Sequence, residues 1–289
     1  MIAITGITGR IGGQLAERLL VDGVAVRAVV RDSRKGDPWR NKGCEVAVAE
    51  LTDVRALAGS FKGAEAVFVL PPPIFDPQPG FSEAYAAMTA LSDAVRSEEV
   101  GRVLYLSTIG AQARQTNVLT QHTIGESIFG ELAIPVTYLR PAWFVENTSW
   151  DIASDRDNGV IQSFLQPIDK PFPMVATNDI SHLAAELIQE RWKGHRVVEL
   201  EGPSRVSPAK LGEILTNLLD RPVEVRAVPR ESWEGLFRDQ GMGNPYPRIR
   251  MIDGFNEGWI EFENGLEGSR KGDTAADTVL RELVNETGV

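Results

Sequence analysis

The sequence predicts an α/β fold: a doubly wound parallel sheet with helices on both faces, and a smaller C-terminal α+β lobe. Three observations predict it. Short apolar runs alternate with helical patterns as far as Leu200, the order a parallel sheet with crossover helices requires. Residues 1–32 read strand, glycine-rich turn, helix, strand. A chain of 289 residues, 43% hydrophobic and 24% charged, can bury a full core beneath an ordinary soluble surface.

The first strand is Ile2-Ala3-Ile4. Thr5-Gly6-Ile7-Thr8-Gly9-Arg10-Ile11-Gly12 follows, then a helical pattern with Leu15, Leu19 and Leu20 on one face. The second strand runs from Val24 to Val30 and ends at Arg31-Asp32. Further strands are predicted at 45–49, 66–70, 102–107, 135–139 and 196–200, and helices at 54–60, 83–96, 124–131 and 180–189. The proline-rich block Pro71 to Gly80 (PPPIFDPQPG) reads as a stiff loop at the carboxyl edge of the sheet, where such folds hold ligands. After Leu139 the pattern loosens. Residues 203–289 carry helical patterns at 208–219 and 230–239, a short apolar run at 223–228 and a glycine- and aromatic-rich stretch at 254–265. The expected organisation is a first domain over 1–150, completed by the strand at 196–200, and a smaller lobe over 151–289 woven into it.

The turn at 6–12 has a specific physical reading. Gly6 permits a tight turn off the strand, Gly9 leaves room for backbone to approach a pyrophosphate, and Gly12 lets the helix pack close to the sheet. The free N–H groups at the helix start, at the positive end of its dipole, then face the phosphates. A plainer reading is a helix start that needs glycine only to turn. The strand before it, the helix after it and the second strand favour dinucleotide binding, with Gly6, Gly9 and Gly12 as the cradle.

The end of the second strand bears on which dinucleotide. An acidic residue there suits the ribose hydroxyls of NAD, and a basic one suits the 2′-phosphate of NADP. Arg31 occupies that position and Arg34 follows one short turn later, so NADP(H) is preferred over NAD(H). Asp32 is the feature that speaks for NAD.

Composition excludes several classes. A net charge of −10 argues against a nucleic-acid surface, which needs a basic stripe. No apolar run is long enough to span a membrane, and Met1 runs directly into a strand without a basic leader, so a cytoplasmic setting is expected. The lone Cys44 reads as a small core residue. The three histidines, at 122, 182 and 195, form no metal-binding pair. No interface stripe separates from the core pattern, which leaves a homodimer open.

Several segments together resemble the NmrA-like family of atypical short-chain dehydrogenase/reductases. They are TGITGRIG at 5–12, VVRDSRK at 29–35, LYLSTIGAQ at 104–112, HTIGE at 122–126, TYLRPAWFVEN at 137–147, ATNDISHLAAE at 176–186 and ELEGP at 199–203. The resemblance implies a Rossmann domain with a small C-terminal lobe and NADP(H) in its crevice. It implies that Gly6, Thr8, Gly9, Arg10, Ile11 and Gly12 hold the pyrophosphate, and that Arg31 and Arg34 meet the 2′-phosphate. Leu51 would touch adenine, and Leu70 and Pro71 would line the ribose. Ser107, Thr108 and Ile109 would lie under the nicotinamide, with Pro141, Ala142, Trp143 and Phe144 as its wall. Asn147 would face the substrate cleft. The family also divides by function. Some members reduce quinones, imines or isoflavone-type substrates, and others bind NADP as redox sensors that act through a protein partner. For this chain the resemblance implies an oxidoreductase acting on a small molecule, with the sensor as the alternative.

Ordinary short-chain reductases pair a serine with Tyr-x-x-x-Lys, the lysine lowering the tyrosine pKa for proton transfer. Ser107 stands where the serine is expected. No tyrosine lies between Tyr105 and Tyr138, and no lysine between Lys62 and Lys170. The matching segment is His122-Thr123-Ile124-Gly125-Glu126. One reading makes His122 a proton donor oriented by Glu126, since i, i+4 spacing puts both on one helix face. The other leaves them an ordinary histidine and glutamate at a helix start. Quinones and iminium ions accept hydride without a strong enzymic acid, so the missing pair disfavours alcohol dehydrogenase chemistry without excluding hydride transfer. Trp143, Phe144 and Trp150 follow the sixth strand, and of these Trp143 and Phe144 suit a flat substrate, whereas Trp233 and Phe237 at i, i+4 read as core.

Overall fold

A computed structural model describes residues 1–149 and 159–287. Its centre is one eight-stranded sheet in which every pairing is parallel. The strands are β1 (Ile2–Thr5), β2 (Val26–Val30), β3 (Glu45–Val48), β4 (Ala66–Val69), β5 (Arg102–Leu106), β6 (Val136–Pro141), β10 (His195–Glu201) and β12 (Arg270–Lys271), in the order β12-β10-β6-β5-β4-β1-β2-β3. The order reverses at β1, beside β4. In an open parallel sheet that reversal is where the helices diverge to opposite faces and leave a crevice at the strands' carboxyl ends.

Alternation along β1 sorts side chains into two cores. Ile2 and Ile4 join the face covered by α1 (Arg10–Val21), the short α2 (Asp37–Asn41) and α6 (Thr177–Gln189). Ala3 joins the face covered by α3 (Val54–Phe61), α4 (Ser82–Ser97) and α5 (Thr120–Phe129). Cys44 is buried in the first of these cores.

The C-terminal part contributes strands β10 and β12 and helix α6 to the main body. Outside it lie two-stranded pairs, β7 (Trp143–Phe144) with β9 (Met174–Val175) and β8 (Val160–Ser163) with β11 (Glu224–Ala227). Helices α7 (Pro208–Leu219), α8 (Trp233–Asp239) and α9 (Tyr246–Glu257) follow, and α10 (Ala276–Thr287) ends the described chain. Trp233 and Phe237 are fully buried. Among the described residues no helix is long and apolar enough to cross a membrane.

Three boundaries differ from expectation for local reasons. Val24 closes α1 instead of opening β2, its N–H donating to Leu19 O at 2.8 Å. Helix α5 starts at Thr120 because Asn117 and Thr120 build a capping turn, with Thr120 Oγ1 accepting from Asn117 N at 3.0 Å and Asn117 Oδ1 accepting from Leu119 N at 2.8 Å. Helix α9 lies mostly ahead of the glycine- and aromatic-rich stretch at 254–265, over residues where no helix is expected.

Candidate active site

At the switch point, Gly6 takes φ +67°, a left-handed conformation that favours glycine. Thr5 fastens the turn to β4, donating to Phe68 O at 3.2 Å and accepting from Leu70 N at 2.9 Å. Leu70 then packs on Gly6, where a Cβ would meet its side chain at 3.1 Å. At Gly12 a Cβ would lie 2.4 Å from Gly6 O, so only glycine lets α1 come this close. Gly9 differs: a Cβ there would meet only Gly6 O, at an ordinary 3.4 Å. The protein's own packing therefore gives no reason for glycine at 9, whereas a group approaching from outside would. Gly9 also begins α1 without any side-chain cap, which leaves first-turn N–H groups for a ligand. These features fit a dinucleotide pyrophosphate. The Arg10 side chain meets Glu286 of α10 at 3.0 Å on the surface.

The carboxyl ends of β2, β3 and β4 bring three predicted contacts together. Arg31, Leu51 and Pro71 line one pocket of about 200 Å³ with Glu50, Met88 and Gln121, which sequence reasoning missed. Arg31 is exposed and holds no carboxylate among the described residues. Arg34 is occupied: its guanidinium grips Asp32 at 2.8–3.2 Å, and Asp32 also accepts the Arg34 backbone N–H at 3.0 Å. Arg34 thereby holds the Asp32 carboxyl below its ordinary range. The acid that spoke for NAD is spent on its neighbour, while Arg31 lines the pocket.

On the other side of the switch point, the ends of β5 and β6 interlock. Ser107 N donates to Leu139 O at 2.7 Å and Ile109 N to Pro141 O at 2.9 Å, while Ala142 N reaches Leu200 O at 2.8 Å. Thr108, Trp143 and Phe144 are half-buried along this edge, with Trp143 edge-on to Phe255 at 5.2 Å. Asn147 is half-buried in the short 3-10 turn that follows, whereas Trp150 lies outside the described residues. Beside Asn147, Glu146 accepts from Thr177 N at 2.8 Å and from the Thr177 hydroxyl, and its Oε2 is buried without a partner.

The expected His122–Glu126 couple is not what the structure forms. Both residues sit on α5, but the Glu126 carboxylate turns to β5 and β6. Its Oε1 accepts from Ser107 Oγ at 2.5 Å and Arg140 Nε at 2.8 Å, and its Oε2 accepts from Arg140 Nη2 at 2.6 Å. A full guanidinium charge outcompetes a neutral imidazole for the carboxylate. Arg140 also holds Glu263 at 2.8 Å and lies 3.9 Å from buried Glu199. Sequence reasoning missed Arg140; the signal was an arginine closing an otherwise apolar strand.

Neither of the two nearby tyrosines is placed as a proton donor. Tyr105 is fully buried under α5 with its hydroxyl against Met88 Sδ at 3.7 Å, and burial with the nearby Glu126 charge pushes its pKa up. Tyr138 donates to Glu126 O at 3.1 Å and is pushed up by the same two causes. Catalytic tyrosines need the opposite shift. His122 stands edge-on to Tyr105, its Nδ1 buried without a partner, and burial lowers its pKa to about 4. The folded state therefore holds a neutral imidazole. Stability from His122 is full above its unfolded pKa, near 6.5, and is lost as pH falls toward 4. Between pH 7 and pH 5 this costs about 1–2 kcal/mol. Urea unfolding of His122→Phe at the two pH values should show that much less acid sensitivity than the parent; equal sensitivity would contradict the burial argument.

The sequence matches the NmrA-like family over residues 1–257. It is 25% identical over 260 residues to the NAD(P)H azoreductase of Xenophilus azovorans, covering 89% of this chain and 85% of that protein. It is 23% identical over 249 residues to quinone oxidoreductase 2 of Escherichia coli (strain K12), covering 84% and 82%. The crystal structure of an Escherichia coli NADPH-dependent quinone oxidoreductase complexed with NADPH shares the fold, with a TM-score of 0.81 at 21% identity across 100% of both chains. The chain belongs to the NmrA-like family.

Proposed function

We propose that this protein is an NADPH-dependent oxidoreductase that delivers hydride to a flat, electron-poor small molecule of the quinone or imine kind. The cradle at the switch point carries the reading: a glycine turn opening on an uncapped helix, with the unpaired Arg31 in the pocket beside it. The named activities of the azo and quinone reductase relatives support the same chemistry.

Gly6, Thr8, Gly9, Arg10, Ile11 and Gly12 would hold the pyrophosphate. Arg31 would grip the 2′-phosphate, with Leu51, Leu70 and Pro71 around the adenosine. Arg34 contributes indirectly, by neutralising Asp32. Ser107, Thr108, Ile109, Pro141, Ala142 and Trp143 would line the nicotinamide, and Phe144 and Asn147 the substrate. When bound, the reduced nicotinamide supplies the hydride. Ser107 commits its hydroxyl proton to Glu126, so it offers lone pairs rather than a proton. His122 stays neutral, and Tyr105 and Tyr138 hold their protons in buried hydroxyls. The proton that follows the hydride therefore comes from solvent.

The test is NADPH oxidation, followed by nicotinamide absorbance across a panel of quinones and imines, with NADH alongside. Turnover with NADPH preferred is expected. Arg31→Ala should lower the NADPH-over-NADH ratio of kcat/KM by about 10–100-fold, the worth of a charge-assisted pair. An unchanged ratio would refute Arg31 as the selector. NADPH binding without oxidation of any acceptor would identify a sensor instead.

A further inference from the structure

We propose that Arg248 is an anion-recognition point in the substrate region, so that the acceptor reduced here is a flat molecule bearing a carboxylate, sulfonate or phosphate group. The inference rests on the reductase reading above and adds the charge of its substrate.

Arg248 is the third residue of α9 and is half-buried. Its guanidinium stacks on Phe237 of α8 at 4.4 Å and lies 6.0 Å from the Phe75 ring of the proline-rich loop. That loop is fastened over this corner: Asp76 accepts from Gly243 N at 2.9 Å and Asn244 N at 2.7 Å, and Asn244 Nδ2 donates to Pro77 O at 3.0 Å. Asp76 is thereby spent on backbone. Among the described residues no carboxylate comes within ion-pair distance of Arg248, and its one polar contact is Nη1 to Met242 Sδ at 3.9 Å. Desolvation lowers its pKa with no nearby charge to offset it. Other arginines of this lobe are treated differently: Arg230 and Arg250 share Asp253 at 2.6 and 3.3 Å.

Sheltering a guanidinium from water without a counter-charge is costly, and stacking on an aromatic face offsets only part of that cost. Stacking uses the flat face of the group. The N–H edge, built for bidentate pairing with a planar or tetrahedral anion, is left without an oxygen acceptor. Position supplies the rest. Phe255 lies seven residues further along α9, on the same helix face, and packs edge-on to Trp143. The proline-rich loop whose Phe75 lies beside Arg248 leaves the carboxyl end of β4, and its Pro71, Pro72 and Ile74 line the pocket that also holds Arg31.

The decisive experiment compares a naphthoquinone carboxylate with its methyl ester as acceptors for NADPH oxidation. The native protein should show a KM about tenfold or more lower for the carboxylate, and Arg248→Met should abolish that preference. Arg248→Lys, which keeps the charge but not the fork, should retain part of it, and so guards against a fold defect in the methionine variant. Equal KM values for the two acceptors in the native protein, or a preference that Arg248→Met changes by less than about twofold, would overturn the proposal. Calorimetric binding of naphthalene carboxylate to the NADP⁺-loaded protein separates this from the reductase reading. If neither quinone oxidises NADPH, that reading fails. Naphthalene carboxylate binding weakened by Arg248→Met would then still support the anion point, and unchanged binding would refute it.

Discussion

Replacing Arg140 with methionine is expected to cost about 3–5 kcal/mol of stability, the penalty for stranding buried charge. The Arg140 side chain is 5% exposed, and the carboxylates of Glu126 and Glu199 beside it are 14% and 1% exposed. Methionine fills most of the volume but removes the cation that spans both acids. Glu199 keeps the backbone N–H groups of Glu263 and Asn264, at 2.7 and 3.3 Å. Glu126 keeps only the Ser107 hydroxyl as a side-chain donor, and so bears most of the loss. The double variant Arg140→Met with Glu126→Gln should therefore recover at least about 1 kcal/mol relative to the sum of the single changes, because it removes both charges of the pair. Urea unfolding of the four proteins measures this. Strict additivity would mean that the network is not coupled as drawn.

The glycine turn should separate folding from binding. In Gly12→Ala the new methyl meets backbone, 2.4 Å from Gly6 O and 2.9 Å from Ile7 Cα, and neither can rotate away. A loss of about 1–3 kcal/mol is expected, together with weakened NADPH binding, since the turn and the helix must part. In Gly9→Ala the methyl has room and the backbone φ of −90° suits alanine. That variant should unfold within about 0.5 kcal/mol of the parent, yet bind NADPH at least tenfold more weakly in a fluorescence titration. Parental NADPH affinity in Gly9→Ala would show that the turn is not a phosphate cradle.

Much of the fold was legible because it is written locally. Apolar runs of strand length, glycines at 6, 9 and 12 and the leucine stripe of α1 each depend on residues within a turn or two. The sheet order follows from alternation and right-handed crossovers. Helix α9 was not legible: it opens Tyr246-Pro247-Arg248 and ends among glycines and aromatics, a composition that resembles a loop until α8 and the proline-rich segment pack against it. The candidate site divided along the same line. Arg31 was legible because strand end and basic residue coincide. The share of Arg34 was not, since its side chain turned back to Asp32.

Legible from the residues alone were the parallel α/β plan, the glycine turn with Arg31 near it, and the lack of any tyrosine between Tyr105 and Tyr138 or lysine between Lys62 and Lys170. All of these follow from residue type and short-range spacing. Which partners the charges take was settled by the folded arrangement. It gave Glu126 to Ser107 and Arg140, left His122 neutral and left Arg248 stacked without an acid. The reason is that a charge chooses its partner by distance in space and by the loss of water around it, and residues 14 and 19 positions from Glu126, or 173 from Arg248, become neighbours only when the sheet closes.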